Sequence, residues 1–185
     1  MSDAAPNKPI FSSDVSIRDA SLLDVGTLCA FRTRMFTEMG WSDIQRLEQL
    51  AVSYTEYLRE NLASGEAAGW IAETHMGAGG SAVPIAGACL VWKRVPPSLR
   101  NPDGREAYLL GVFVDPAWRR RGIARKLVAA AIEQARAQGA AMVTLHASDE
   151  GRLLYERMGF VDSHEMRLFT EHAPEAAWAP AYEAD

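Results

Sequence analysis

The chain has 185 residues, 48% hydrophobic and 23% charged, a composition that suits one domain able to bury a core without disulfides or metal. Its formal net charge of -5 and pI near 5.4 argue against a general affinity for nucleic acid phosphates. The longest apolar runs are strand-sized and too short to span a bilayer, and Cys29 and Cys89 sit in apolar stretches without metal-ligand spacing, as reduced core residues do.

The polar segment from Met1 to Ile10 lacks an apolar signal core, so residues 1–12 are expected to form a flexible tail and the protein to be cytoplasmic. A short strand follows at Val15 to Arg18. Ser21-Leu22-Leu23-Asp24 then has the pattern of a helix cap, opening a helix that runs to about Met39. Ser42 and Gln45 form a capping box for the next helix, with Ile44, Leu47, Ala51, Tyr54 and Leu58 as its buried stripe and an end near Ser64-Gly65. Trp70 to His75 and Ile85 to Trp92 read as a hairpin around the turn Gly77-Ala78-Gly79-Gly80-Ser81. The turn-rich stretch from Pro96 to Gly104 leads to a fourth strand, Ala107 to Val114, buried on both faces. A long helix to about Gln138, a Gly139 cap, a strand at Met142 to Ala147, a helix around Arg152 to Arg157 and a last strand near Glu165 to Phe169 complete the order. Three consecutive strands ahead of the long helix argue against a purely parallel sheet and for a mixed sheet flanked by helices. Residues 171–185 have no clear period, although Trp178 and Tyr182 could pin that tail to the body.

The most informative stretch is Val112-Phe113-Val114-Asp115-Pro116-Ala117-Trp118-Arg119-Arg120-Arg121-Gly122-Ile123-Ala124, where an apolar strand feeds through a turn into an arginine-rich helix start. Reading onward from Ile123, the apolar residues Leu127, Val128, Ala131, Ile132 and Ala135 recur at helical spacing, so the helix begins within the Arg/Gly segment. Its first N–H groups lack internal partners at the positive end of the dipole, which makes the segment a cradle for phosphate.

Arg119, Gly122 and Ala124 match the Gln/Arg-x-x-Gly-x-Gly/Ala pattern, and the strand-turn-helix around them resembles the coenzyme A site of the GNAT superfamily of N-acetyltransferases. Downstream, Leu154-Tyr155-Glu156-Arg157-Met158-Gly159-Phe160 resembles the superfamily's Leu-Tyr-x-x-x-Gly-Phe block. The resemblance covers about residues 15–169 and implies an α/β (α+β) fold with a mixed, mostly antiparallel central sheet, as a single domain over residues 13–170. It further implies transfer of an acetyl group from acetyl-CoA to a primary amine of a small molecule or peptide, without a metal. A non-catalytic coenzyme A-binding regulatory module and a transferase of another acyl group are the alternatives. Nucleic acid and membrane partners are not expected, and a homodimer is possible.

By the same resemblance, the pyrophosphate would lie on Arg119, Arg120, Arg121, Gly122, Ile123, Ala124 and Arg125, and the pantetheine arm along Val112, Phe113 and Val114. Val112 or Phe113 would supply the N–H that faces the thioester carbonyl, with Gly111 marking a bulge or simply packing under a helix. Tyr155 stands where the family has a tyrosine near the donor sulfur, as general acid or as a packed core aromatic. The family's asparagine before that helix is missing, and Ser148 takes its place, either bonding the cofactor or capping the helix. Glu106, Tyr108 and His146 are candidates for the base that removes the amine proton, with water as the alternative. On the acceptor side, Glu38 could attract a cationic amine, and Trp41 could stack over it or act as a hydrophobic staple around Ser42.

Overall fold

The computed structural model describes residues 15–75, 80–166 and 168, arranged as two compact units, one ending at His146 and the other starting at Ala147. The first unit holds a five-stranded sheet in sequence order, built from β1 (Ser16–Asp19), β2 (Ala67–His75), β3 (Ala82–Arg94), β4 (Arg105–Val114) and β5 (Met142–Leu145). Neighbours are antiparallel from β1 to β4, whereas β4 and β5 are parallel. A parallel pair needs a crossover, and the crossover is α3 (Ile123–Ala137).

Helices α1 (Val25–Glu38) and α2 (Ile44–Ser64) bury Leu28, Phe31, Tyr54 and Leu58 against Ile71, Cys89 and Phe113 of the sheet. Helix α3 contacts β2, β3 and β4 and buries Ile123, Leu127, Val128, Ala131 and Ala135. On β4, Ala107 and Leu109 are buried while the intervening Tyr108 is only half-buried, the alternation expected of a strand with two differently covered faces.

The cap at Ser21 forms as expected: Ser21 and Asp24 bond reciprocally and open a short 3-10 turn, Leu22–Asp24, that leads into α1. Asp24 is 7% exposed and accepts from Arg18 Nη1 and Nη2 at 2.9 and 2.7 Å and from the Ser21 N–H at 2.8 Å. The Arg18 guanidinium holds its carboxyl well below the usual carboxylate range. Asp24→Asn is therefore expected to lower unfolding free energy by about 2–3 kcal/mol near pH 7, since it leaves donors without their charged partner. Because the folded pKa is depressed, this stabilisation is complete above the unfolded value near 3.9 and fades as pH falls below it. Urea unfolding should thus show parent and variant converging from pH 5 toward pH 2.

The second cap differs from expectation. Asp43, not Ser42, caps α2, its carboxylate accepting from Arg46 N at 3.1 Å, and no box forms with Gln45. Ile44 is 70% exposed, so the buried stripe narrows to Tyr54 and Leu58, with Leu47 and Ala51 half-buried. Gly65 ends the helix in the left-handed conformation.

The second unit contains α4 (Asp149–Arg157), which begins earlier than its apolar pattern indicates because Ser148 caps it, accepting from Gly151 N at 3.3 Å. Of the expected last strand, Glu165, Met166 and Leu168 are described and lie in no strand; Arg167 and Phe169 are outside the described residues. Most of the hairpin turn, Met76 to Gly79, and both expected tails, with Trp178 and Tyr182, also lie outside them. Among the described residues no helix is long and apolar enough to cross a membrane.

Candidate active site

Strand β4 changes character halfway along. Against β3, Gly87 pairs with Phe113 and Cys89 with Leu110, so β4 carries one extra residue in that interval. Gly111, with φ +62°, supplies it, in a conformation that a side chain would strain. The insertion lets Leu110 and Phe113 both pack on the α1/α2 cluster, which regular alternation would forbid at that odd spacing. The bulge reading of Gly111 holds.

On its other edge, β4 pairs with β5 only from Glu106 to Leu109. Beyond Leu109 no described strand covers that edge. Asp115 N bonds Ile85 O on the β3 side, so alternation turns the main-chain groups of Phe113 toward β3 and those of Val112 and Val114 toward the open edge. Phe113 is 3% exposed, its ring stacked on Phe31 at 5.4 Å between centroids.

The strand leaves through Asp115, whose carboxylate accepts from Ala117 N at 3.1 Å and pairs with Arg34 at 2.9 Å, which holds it below its ordinary range. A 3-10 turn, Pro116–Trp118, follows and buries Trp118. Arg120 (φ +64°) and Gly122 (φ +76°) are both left-handed, folding the exposed loop onto the start of α3. No side chain caps α3, and its first helical bond is Lys126 N to Gly122 O, so the N–H groups before Lys126 have no helical partner. A Cβ built at Gly122 meets nothing within 4 Å, which leaves the approach open. These features fit a bound pyrophosphate.

The arginines divide their work. Arg119 Nε donates to Val114 O at 2.9 Å and its Nη2 pairs with Glu38, so its side chain braces the loop. Arg121 lies 4.6 Å from the Trp118 ring and donates to Ala117 O, while Arg120 and Arg125 are exposed. Glu38 is thus engaged in an ion pair with Arg119. Trp41 meets Phe36 of α1 edge-on at 6.2 Å, so its ring packs on the preceding helix.

Of the three base candidates, two come together. The Tyr108 hydroxyl is hydrogen-bonded to His146 Nδ1 at 2.5 Å across β4 and β5, and Lys93 Nζ lies 4.0 Å from the Tyr108 ring. Glu106 sits further down the strand, about 17 Å along it from Gly111, in a groove with Glu66, Lys93, Arg94 and Arg105. Cys89 is fully buried and its thiol is pushed up to about 11, as suits a core residue.

In the second unit, Tyr155 meets Phe160 edge-on at 5.7 Å, and Phe160 N bonds Tyr155 O at 3.0 Å as the chain turns at Gly159. Burial pushes the Tyr155 hydroxyl up to about 12. Two residues escaped sequence reasoning as candidates for a site: Arg32 and Tyr54, on different helices, meet at the bulge.

The chain thus combines a mixed sheet, a fourth strand bulged at Gly111 with no described strand on its β5 edge beyond Leu109, and a helix start without a side-chain cap. The chain matches the family described as acetyltransferase (GNAT) family over residues 36–160 and belongs to that family. Among solved structures it is similar to a GCN5-related N-acetyltransferase from Ralstonia eutropha JMP134, with 32% identity, TM-score 0.75, and coverage of 85% of this chain and 99% of that one. It is also similar to a predicted acetyltransferase from Clostridium acetobutylicum solved with acetyl-CoA, with 26% identity, TM-score 0.73, and coverage of 85% and 96%. An aminoglycoside N-acetyltransferase in complex with CoA shares the fold, at 19% identity, TM-score 0.63, and coverage of 91% and 99%. No curated protein matches the sequence.

Proposed function

We propose that the protein transfers the acetyl group of acetyl-CoA to a primary amine of a small molecule or peptide, by direct attack in a ternary complex. The observation that carries this reading is β4, bulged at Gly111 and with no described strand on its β5 edge beyond Leu109, leading directly into the cradle at Gly122. Acetyl-CoA supplies an activated acetyl thioester.

In this reading the N–H groups of Gly122, Ile123, Ala124 and Arg125 bind the pyrophosphate, with Arg120 and Arg121 adding positive charge. Main-chain groups of Val112 and Val114 hold the pantetheine amides as an added strand would, and the Val112 N–H stabilises charge developing on the thioester oxygen. The acceptor amine, with an ordinary pKa near 10.4, is neutral in only about one molecule in 2,500 at pH 7. His146, with Tyr108 bonded to it, takes the proton. The C–N bond forms as the C–S bond breaks, and the thiolate leaves with a hydrogen bond from Tyr155 and takes its proton from solvent. Ser148 serves as the cap of α4.

Release of free thiol from acetyl-CoA against a panel of amines tests the assignment. Acceptor-dependent release supports it, whereas tight coenzyme A binding with no acceptor found would make the chain a binding module. Gly122→Ala should weaken coenzyme A binding about tenfold, through left-handed strain of about 1–2 kcal/mol in the cradle. Calorimetric titration showing unchanged affinity would remove Gly122 from the site.

A further inference from the structure

Two buried donor atoms, the Tyr54 hydroxyl beside the bulge and Arg32 Nε of the guanidinium that lies over the Tyr54 ring, have no hydrogen-bond partner among the described residues. Tyr54 is 6% exposed, and its hydroxyl has no hydrogen-bond partner among the described residues, the neighbouring Cys89 thiol lacking the geometry for one. That oxygen lies 3.7 Å from the position a Cβ would take on Gly111, so it points at the residue where β4 opens. Burial pushes the hydroxyl far above the usual tyrosine range, so it remains a donor at any physiological pH.

Arg32 is the second. Its guanidinium is held between two rings, 4.6 Å from the Tyr54 centroid and 5.1 Å from that of Phe36, and its buried Nε has no hydrogen-bond partner. No carboxylate among the described residues lies within ion-pair distance of it, although the chain is acidic overall. The rings offset part of the cost of desolvating a cation, but they offer its N–H groups no oxygen. A half-buried guanidinium whose buried Nε is unbonded, beside a buried, unbonded hydroxyl, is complementary to an anionic oxygen group.

We propose that Arg32 and Tyr54 bind the carboxylate of the acceptor, so that the substrate is a compact amino acid rather than a neutral amine or an internal peptide amine. This rests on the acetyl-transfer reading. The Tyr54 hydroxyl faces the open side of Gly111, and Val112, whose N–H faces the reacting carbonyl in that reading, is the next residue along, about 3.8 Å away at its Cα. Anion and nucleophile are therefore separated by only a few bonds. A lysine side chain in a protein carries no free carboxylate at that distance.

The test compares free amino acids with their amides and methyl esters as acceptors, following thiol release. The free acids should be favoured at least about 100-fold in kcat/KM. Arg32→Gln should cut that preference below about tenfold by raising acceptor KM, with acetyl-CoA KM unchanged. Should Arg32→Gln fail to fold, Tyr54→Phe decides. It keeps the ring and removes only the unbonded hydroxyl, so Tm should not fall while KM for free acids rises about tenfold and that for amides stays constant. Amides consumed as well as acids, or Tyr54→Phe without effect on KM, overturns the carboxylate anchor and leaves acetyl transfer standing. No thiol release with any amine, in a protein that binds coenzyme A, overturns the transfer reading and the anchor with it.

Discussion

Tyr155→Phe lowers kcat about 100-fold and leaves the affinity for coenzyme A within about twofold. The reason lies in what a hydroxyl at about 12 can and cannot do. Proton transfer from it to a thiolate of ordinary pKa near 8.5 is uphill by roughly 3.5 units, about 5 kcal/mol, so it is a poor proton donor. A hydrogen bond that strengthens as sulfur gains charge needs no transfer and is available throughout. This sharpens the expectation of a general acid into that of a neutral donor, and it has a signature. Tyr155 contributes no descending limb to the pH–rate profile between pH 8 and 10, because it does not ionise there. A limb in that range that disappears in Tyr155→Phe would show proton transfer instead, and unchanged turnover would remove Tyr155 from the chemistry.

His146→Ala is expected to lower kcat/KM for the acceptor about 100-fold at pH 7, as loss of a positioned base does. The deficit should shrink as pH approaches about 10, where the amine loses its proton without help. Tyr108→Phe, which removes the hydroxyl bonded to His146 Nδ1, should give a smaller loss with the same pH trend. Glu106→Gln should leave the acceptor kinetics unchanged, given its distance down β4. A deficit constant from pH 7 to pH 10 in His146→Ala would show that the pair positions the substrate and does not remove its proton.

How much of this could be read from the residues alone depended on range. Helix α3 and strand β4 announce themselves by period, and the cradle by Arg119, Gly122 and Ala124, since these signals lie within one stretch of chain. The cap of α2 was misplaced because Ser42 and Asp43 are both good caps, and only the carboxylate reaching Arg46 N decides between them. Ile44 is apolar yet exposed because it occupies the first turn of that helix, ahead of the half-buried Leu47 and the buried Tyr54. Gly111 could have been a packing glycine, and the register against Gly87 and Cys89 was needed to make it a bulge. Arg32 and Tyr54 carry no shared motif. They meet only because α1 and α2 cross the same face of the sheet.

Arg119 links residues 81 positions apart, reaching from the donor loop to Glu38 at the last residue of α1. The pair is half-exposed and contributes no more than about 1 kcal/mol. In the proposed reading its position matters more than its strength, because Glu38 leads into the segment assigned to the acceptor side while Val114 O, held by the same guanidinium, lies on the strand assigned to the donor. On that reading the two substrates are not independent tenants of the fold. An effort to broaden amine choice by editing Glu38 will register first as a looser grip on acetyl-CoA, and screens that hold the donor at saturation will miss it.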